Sequence, residues 1–160
     1  MVDKTLSPRE NILSLLSEKA VMKSKIFEQS IEVFNLLKDV LSEMSNDLNE
    51  MLDDKDYKRV RLEYRDRGKF EAELKFADDV LIFSMHTDVF QFDREHPVWK
   101  NEYLKKEPYN SYCGVINVYN FLSDSMKFNR LDDMGYLVAR LFVNKDKSFF
   151  VEGKRQKRQM

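Results

Sequence analysis

The stretch YLVARLFVNKDKSFFVE, Tyr136 to Glu152, sets two apolar runs on either side of a short charged turn, with one charge, Arg140, inside the first run. Leu137, Ala139, Leu141 and Val143 alternate there with Tyr136, Val138 and Phe142. Both faces of that strand are therefore apolar, and a strand of this kind needs cover on both sides. The pattern predicts a β-hairpin, the most buried of its sheet. Turn length then fixes what Arg140 meets. A three-residue loop at Lys145-Asp146-Lys147 sets Asn144 opposite Ser148, Phe142 opposite Phe150 and Arg140 opposite Glu152. A two-residue loop at Lys145-Asp146 sets Val151 opposite Arg140 instead. The first register matches charge with charge and ring with ring, as stabilising cross-strand pairs do. It is the expected one, with Arg140 and Glu152 as a structural pair. The other role for Arg140 is an anion contact, because its planar fork fits a carboxylate or phosphate.

Cover for the hairpin is expected from the second half of a helix in the N-terminal third. Ser7-Pro8-Arg9-Glu10 has the form of a capping box, with Ser as N-cap, Pro at the first helical position and Glu at the third. From Leu13 a 3-4 spacing through positions 16, 20, 23, 27, 30, 34, 37, 41, 44, 48 and 51 is apolar everywhere except Lys23 and Ser30. That periodicity predicts an amphipathic helical segment over 7–53, about 65 Å long if unbroken near Lys23. A second row at Ile12, Ile26, Val33, Leu36 and Val40 widens the stripe beyond a coiled-coil seam and favours a helix lying on a sheet.

Between helix and hairpin the period changes from 3.6 to 2. Residues from Tyr57 to Tyr64 and from Phe70 to Phe76 alternate apolar and charged around a turn at Asp66-Arg67-Gly68, as half-exposed antiparallel strands do. Val80 to Phe92 is too long for one straight strand, so a bend is expected near His86-Thr87-Asp88. An irregular or partly helical insert follows over 93–112, then a strand from Gly114 to Leu122 and a polar crossing from Ser123 to Met134. The expected architecture is one α+β domain over 1–160: the helical segment 7–53, an antiparallel sheet of about six strands over 57–152, and a basic tail over 153–160. In outline, a lead helix feeding a meandering sheet is similar to sensory and adaptor modules such as PAS or GAF domains, a likeness of fold that confers no function.

Composition narrows the function classes. Across 160 residues the net charge is −1, which gives no overall footprint for nucleic acid. Residues 1–56 are nevertheless acidic and residues 57–160 mildly basic. No run is long enough to span a bilayer and the N-terminus lacks an apolar signal core. With a single cysteine, Cys113, these features lead to the expectation of a cytoplasmic protein without internal disulfides. Four scattered glycines, at 68, 114, 135 and 153, form no phosphate-binding loop.

Individual polar residues supply the candidate sites. Ser84, His86 and Asp88 have the residue types of a nucleophile, base and orienting acid. Residues two apart on a strand are nevertheless about 6.6 Å apart, too far for a relay, so they are read as marking a bend. Cys113 reads as a small buried thiol. His86 and His96 with acidic groups lack metal-ligand spacing, so no metal or other cofactor is expected. Single-stranded nucleic acid, through Trp99 and the tyrosines and lysines of 93–112 and the tail Lys154, Arg155, Lys157 and Arg158, is a weaker reading. Two hypotheses lead. The first is a non-enzymatic interaction or oligomerisation module, associating with itself or a protein partner through the N-terminal helix. The second is a small-ligand-binding or sensing domain with a pocket formed by Trp99, Tyr119, Phe121 and Arg140.

Overall fold

A computed structural model describes residues 5–53, 60–122 and 135–153. The helix α1 runs unbroken from Pro8 to Asp53, 46 residues, with no interruption at Lys23. Its start is the predicted capping box: the Ser7 amide donates to Glu10 Oε2 at 2.8 Å and the Glu10 amide to Ser7 Oγ at 3.3 Å. The strands are β1 (Glu63–Asp66), β2 (Glu71–Phe76), β3 (Asp79–Met85), β4 (Phe90–Gln91), β5 (Tyr112–Leu122), β6 (Tyr136–Val143) and β7 (Phe149–Gly153). All pair antiparallel in the order β1-β2-β3-β5-β6-β7, and β4 pairs with β5 beyond the end of β3. The bend expected near His86 is the break between β3 and β4. The insert folds into a 3₁₀ turn at Pro97–Lys100, the short helix α2 at Glu102–Lys106 and a second 3₁₀ turn at Pro108–Ser111. The segments 54–59 and 123–134 and the tail from 154, which include the start of the first predicted strand, the polar crossing and the basic cluster, lie outside the described residues.

The row of α1 that meets the sheet differs from the one read off the apolar spacing. Met22, Ile26, Ser30, Phe34, Lys38, Leu41, Ser45 and Asn49 are buried, a row containing four polar residues. Each polar member has a reason to be there. Ser30 is small and donates to the Ile26 carbonyl at 2.7 Å. A Cβ added at Gly114 of β5 would lie 1.9 Å from Ser30 Oγ, so these two residues mark a very close approach of helix and sheet. Lys38 donates to Asp66 Oδ1 at 2.9 Å and to the Gly68 carbonyl at the β1–β2 turn. Ser45 donates to the Leu41 carbonyl, and Asn49 exchanges two 2.8 Å hydrogen bonds with the backbone of Leu62. Thus α1 meets β5 at Ser30 and drifts outward until its second half lies along β1. The core beneath it joins Phe34 and Leu41 to Ala72, Leu74, Phe83, Met85 and Ile116.

This path corrects two expectations about the hairpin. The second half of α1 covers the β1 side of the sheet, and β6–β7 is not the most buried hairpin. Of β6 only Phe142 and Val143 are buried, while Tyr136 is 74% and Phe149 64% exposed. The physical reason is position: β7 is an edge of the described sheet, and the helix has moved toward the opposite edge. The buried end of β6 is covered on its other face by the insert, where Phe92, Cys113, Val115 and Phe142 form a second cluster with Val98, Trp99 and Phe150.

The predicted register is present: Arg140 faces Glu152 and Phe142 faces Phe150. Asn144 sets it. Its side-chain Oδ1 accepts from the amides of Asp146 and Ser148, while its own backbone exchanges hydrogen bonds with Lys147 and Ser148. Lys147 takes the left-handed position, at φ 60°, that closes a three-residue loop.

Candidate functional site

The insert packs on one end of the outer sheet face, the face opposite α1, and leaves the adjoining part open. There a groove of about 280 Å³ is lined by His86, Asp88, Val89, Phe90, Val115, Asn117, Tyr119, Leu137, Arg140 and Phe142. Its floor comes from β5 and β6, where Asn117 faces Arg140. A β-bulge after Val118 shifts the register so that Tyr119 faces Leu137, adding a residue to β6 at this point. One wall is the loop between β3 and β4. A second cleft of about 320 Å³, lined by Leu137, Val138, Ala139, Glu152 and Gly153, also includes Arg140. Arg140 therefore stands between two open spaces.

The expected ion pair across the hairpin is not formed. The register sets Arg140 and Glu152 side by side, yet among the described residues Arg140 makes no ion pair. Glu152 Oε1 lies 3.8 Å from His96 Nε2. His96 is itself held as the N-cap of the first 3₁₀ turn, its Nδ1 accepting from the Val98 amide at 3.1 Å, and its ring lies 4.8 Å from that of Phe92. Glu152 thus lies beside the insert, beyond hydrogen-bond distance of His96.

Of the four residues singled out for ligand contact, Arg140 and Tyr119 line one groove. Phe121 packs beside Tyr119 at a ring separation of 6.4 Å and against Gly135. Trp99 sits apart, in the cluster beneath the insert, and its Nε1 donates to the Phe92 carbonyl at 3.2 Å. Asn117, Val115, Leu137 and Phe142 were not singled out from sequence. Two polar residues in an apolar strand, Asn117 and Asn120, were a visible signal, but the strand pairing that sets Asn117 beside Arg140 spans the long segment 123–134.

Ser84, His86 and Asp88 do not make a relay. His86 Nδ1 accepts from the backbone amide of Asp88 at 3.3 Å, a turn contact within the bend. That bond assigns the proton of neutral His86 to Nε2. Cys113 is buried, and burial pushes its thiol up to about 12, far from the thiolate that nucleophilic chemistry requires. Among the described residues no group of three or more His, Cys, Asp or Glu side chains is placed to hold a metal ion. No described helix is long and apolar enough to cross a membrane. The chain matches no family model, no curated protein and no solved structure.

Proposed function

We propose that this protein is a non-enzymatic interaction module that associates with a second copy of itself through α1. One observation carries the reading. From Pro8 to Val21 the helix extends past the sheet, and Ile12, Leu13, Leu15, Leu16 and Val21 are each more than half exposed. Fourteen helical residues cover roughly 20 Å, and an apolar surface of that extent is a common mark of association. The same helix offers a complement. Its distal half carries an exposed apolar row at Leu36, Val40, Met44 and Met51. The segment 8–25 holds Arg9, Lys19, Lys23 and Lys25 against Glu10 and Glu18, whereas 26–53 holds Lys38 against seven acidic residues. An antiparallel arrangement of two copies sets the basic segment 8–25 of each, whose excess charge is Lys23 and Lys25 next to the overhang, against the acidic half of the other, and a two-fold axis makes both contacts at once.

Size-exclusion chromatography with light scattering on the full chain tests this reading. A dimer at micromolar concentration is expected, weakened by raised salt because part of the attraction is between exposed charges. The double variant Leu13→Lys, Leu16→Lys should be monomeric with an unchanged circular dichroism spectrum. A monomer for the unaltered chain at that concentration overturns the proposal.

A further inference from the structure

The groove beside Arg140 differs in kind from the exposed helix. It is a concavity on the outer sheet face, walled by Val115, Leu137 and the rings of Phe90 and Phe142, whose centroids are 5.9 Å apart. Its polar lining is the Asp88 carboxylate together with four residues that can donate a hydrogen bond: Arg140, Asn117 facing it, Tyr119, and His86, whose Nδ1 is already occupied. A mostly apolar concavity with a small number of oriented polar groups is the usual form of a small-molecule site, and about 280 Å³ suits a ligand smaller than a typical drug.

The charges select among anions. Among the described residues Arg140 is the one Lys or Arg lining the groove, and it has no ion pair there. Asp88 stands on the same lining, and Glu152 borders the adjoining cleft. A dianionic phosphate here has the Asp88 carboxylate on the same lining and Glu152 in the adjoining cleft, with one guanidinium to offset them. A monoanionic carboxylate matches a single bidentate fork, and the neutral donors of Asn117, Tyr119 and His86 add to it. The tilted aromatic wall favours a flat apolar body. We propose that the groove binds a small aromatic carboxylate, its carboxylate on Arg140 and its ring between Phe90, Phe142 and Leu137.

Two-dimensional amide NMR on the full chain tests this with benzoate, indole-3-carboxylate, phenyl phosphate and inorganic phosphate as probes. The expected result is a saturable shift of the Asn117, Tyr119 and Arg140 amides with both carboxylates at millimolar or lower concentration, within what so few atoms can deliver. Arg140→Met should weaken benzoate by about tenfold or more, the value of one charge-assisted bidentate contact. Its Tm should stay close to that of the unaltered chain, because Arg140 is exposed. Glu152→Gln should strengthen benzoate by roughly threefold by removing a competing carboxylate. The proposal is overturned by the absence of any saturable carboxylate shift up to about 10 mM, by equal affinity in the folded Arg140→Met variant, or by phenyl phosphate binding more tightly than benzoate. None of these outcomes depends on whether the chain dimerises, since Leu13→Lys, Leu16→Lys leaves the groove untouched and should bind the probes equally.

Discussion

From Met22 to Asn49, α1 lies on the sheet and buries a row that includes Ser30, Lys38, Ser45 and Asn49; from Pro8 to Val21 the same helix carries Ile12, Leu13, Leu15, Leu16 and Val21 into solvent. Apolar residues are equally frequent in the two, six of fourteen and twelve of twenty-eight, so hydrophobicity alone does not say which length is covered. Burial on this sheet is decided by fit: a serine where the backbones come closest, a lysine where a carboxylate and a carbonyl receive it, an asparagine where an unpaired strand end needs both a donor and an acceptor. An apolar stripe requires burial somewhere, but it does not name the surface that provides it.

The sharpest way to test the seated half is to empty its centre. Phe34 is fully buried within the cluster that joins α1 to β2, β3 and β5. Phe34→Ala should lower stability by about 4 kcal/mol, through lost transfer and a residual cavity; urea denaturation at a concentration where the chain is monomeric measures it. A drop under about 1 kcal/mol means that the helix does not rest on the sheet through this residue.

The depth of the seat is tested from the sheet side. Gly114→Ala drives a methyl group to 1.9 Å from Ser30 Oγ and 2.8 Å from its Cβ, so helix or strand must move. Overpacking of this kind costs about 3 kcal/mol. Adding Ser30→Gly removes both clashing atoms, and the double variant should recover most of the loss beyond the helix propensity of glycine. If Ser30→Gly brings no recovery, the two backbones do not meet here.

Next in size is the anchor at Lys38. Its ammonium is buried, while its partner Asp66 is largely exposed. The Lys38 hydrogen bond, then the Gly68 amide, hold the Asp66 carboxyl below its ordinary value of 3.8. A carboxylate held lower in the folded chain than in the unfolded one contributes stability above that ordinary value, and the contribution disappears as pH falls through the depressed native value. Asp66→Asn should therefore lower the urea midpoint at pH 7, and the gap from the unaltered chain should close as pH drops below 3.8. A gap that persists unchanged into acid assigns the effect to something other than this charge. The open Pro8–Val21 length has no such anchor among its described contacts beyond Glu18, which bonds the Tyr109 hydroxyl; burial, then that carboxylate, push the Tyr109 phenol up.

How much of this was legible follows the range of the interactions. The capping box and the three-residue turn are local, and the residues that build them, Ser7 with Glu10 and Asn144 with Lys147, are close in sequence. The period change from 3.6 to 2 placed helix before sheet, and the insert expected over 93–112 does contain a short helix. The helix face was not legible. Ser30 breaks the apolar row in sequence, and only Gly114, more than eighty residues on, makes it the right residue. The openness of β6 and β7 was equally hidden, because alternation reports that both faces are apolar and not whether a layer lies over them. For Arg140 the register was readable but the partner was not. Glu152 is opposite, and the approach of His96 from the insert depends on a tertiary contact that no spacing encodes.

The smallest effect on folding should come from the open length of α1, and that makes it the most discriminating. Leu13 and Leu16 are about 60% exposed. In the isolated chain each leaves mostly water behind, so Leu13→Ala and Leu16→Ala should each change stability by less than about 0.5 kcal/mol, little more than the propensity difference between two good helix formers. A dimer adds a term that depends on concentration, because association stabilises the folded state by mass action. The unaltered chain should melt higher as its concentration rises, and the two alanine variants should flatten that rise while converging with it at high dilution. If both variants lower the melting temperature equally at every concentration, Leu13 and Leu16 are packed within their own chain, and the distinction between seated and open helix fails at its open end.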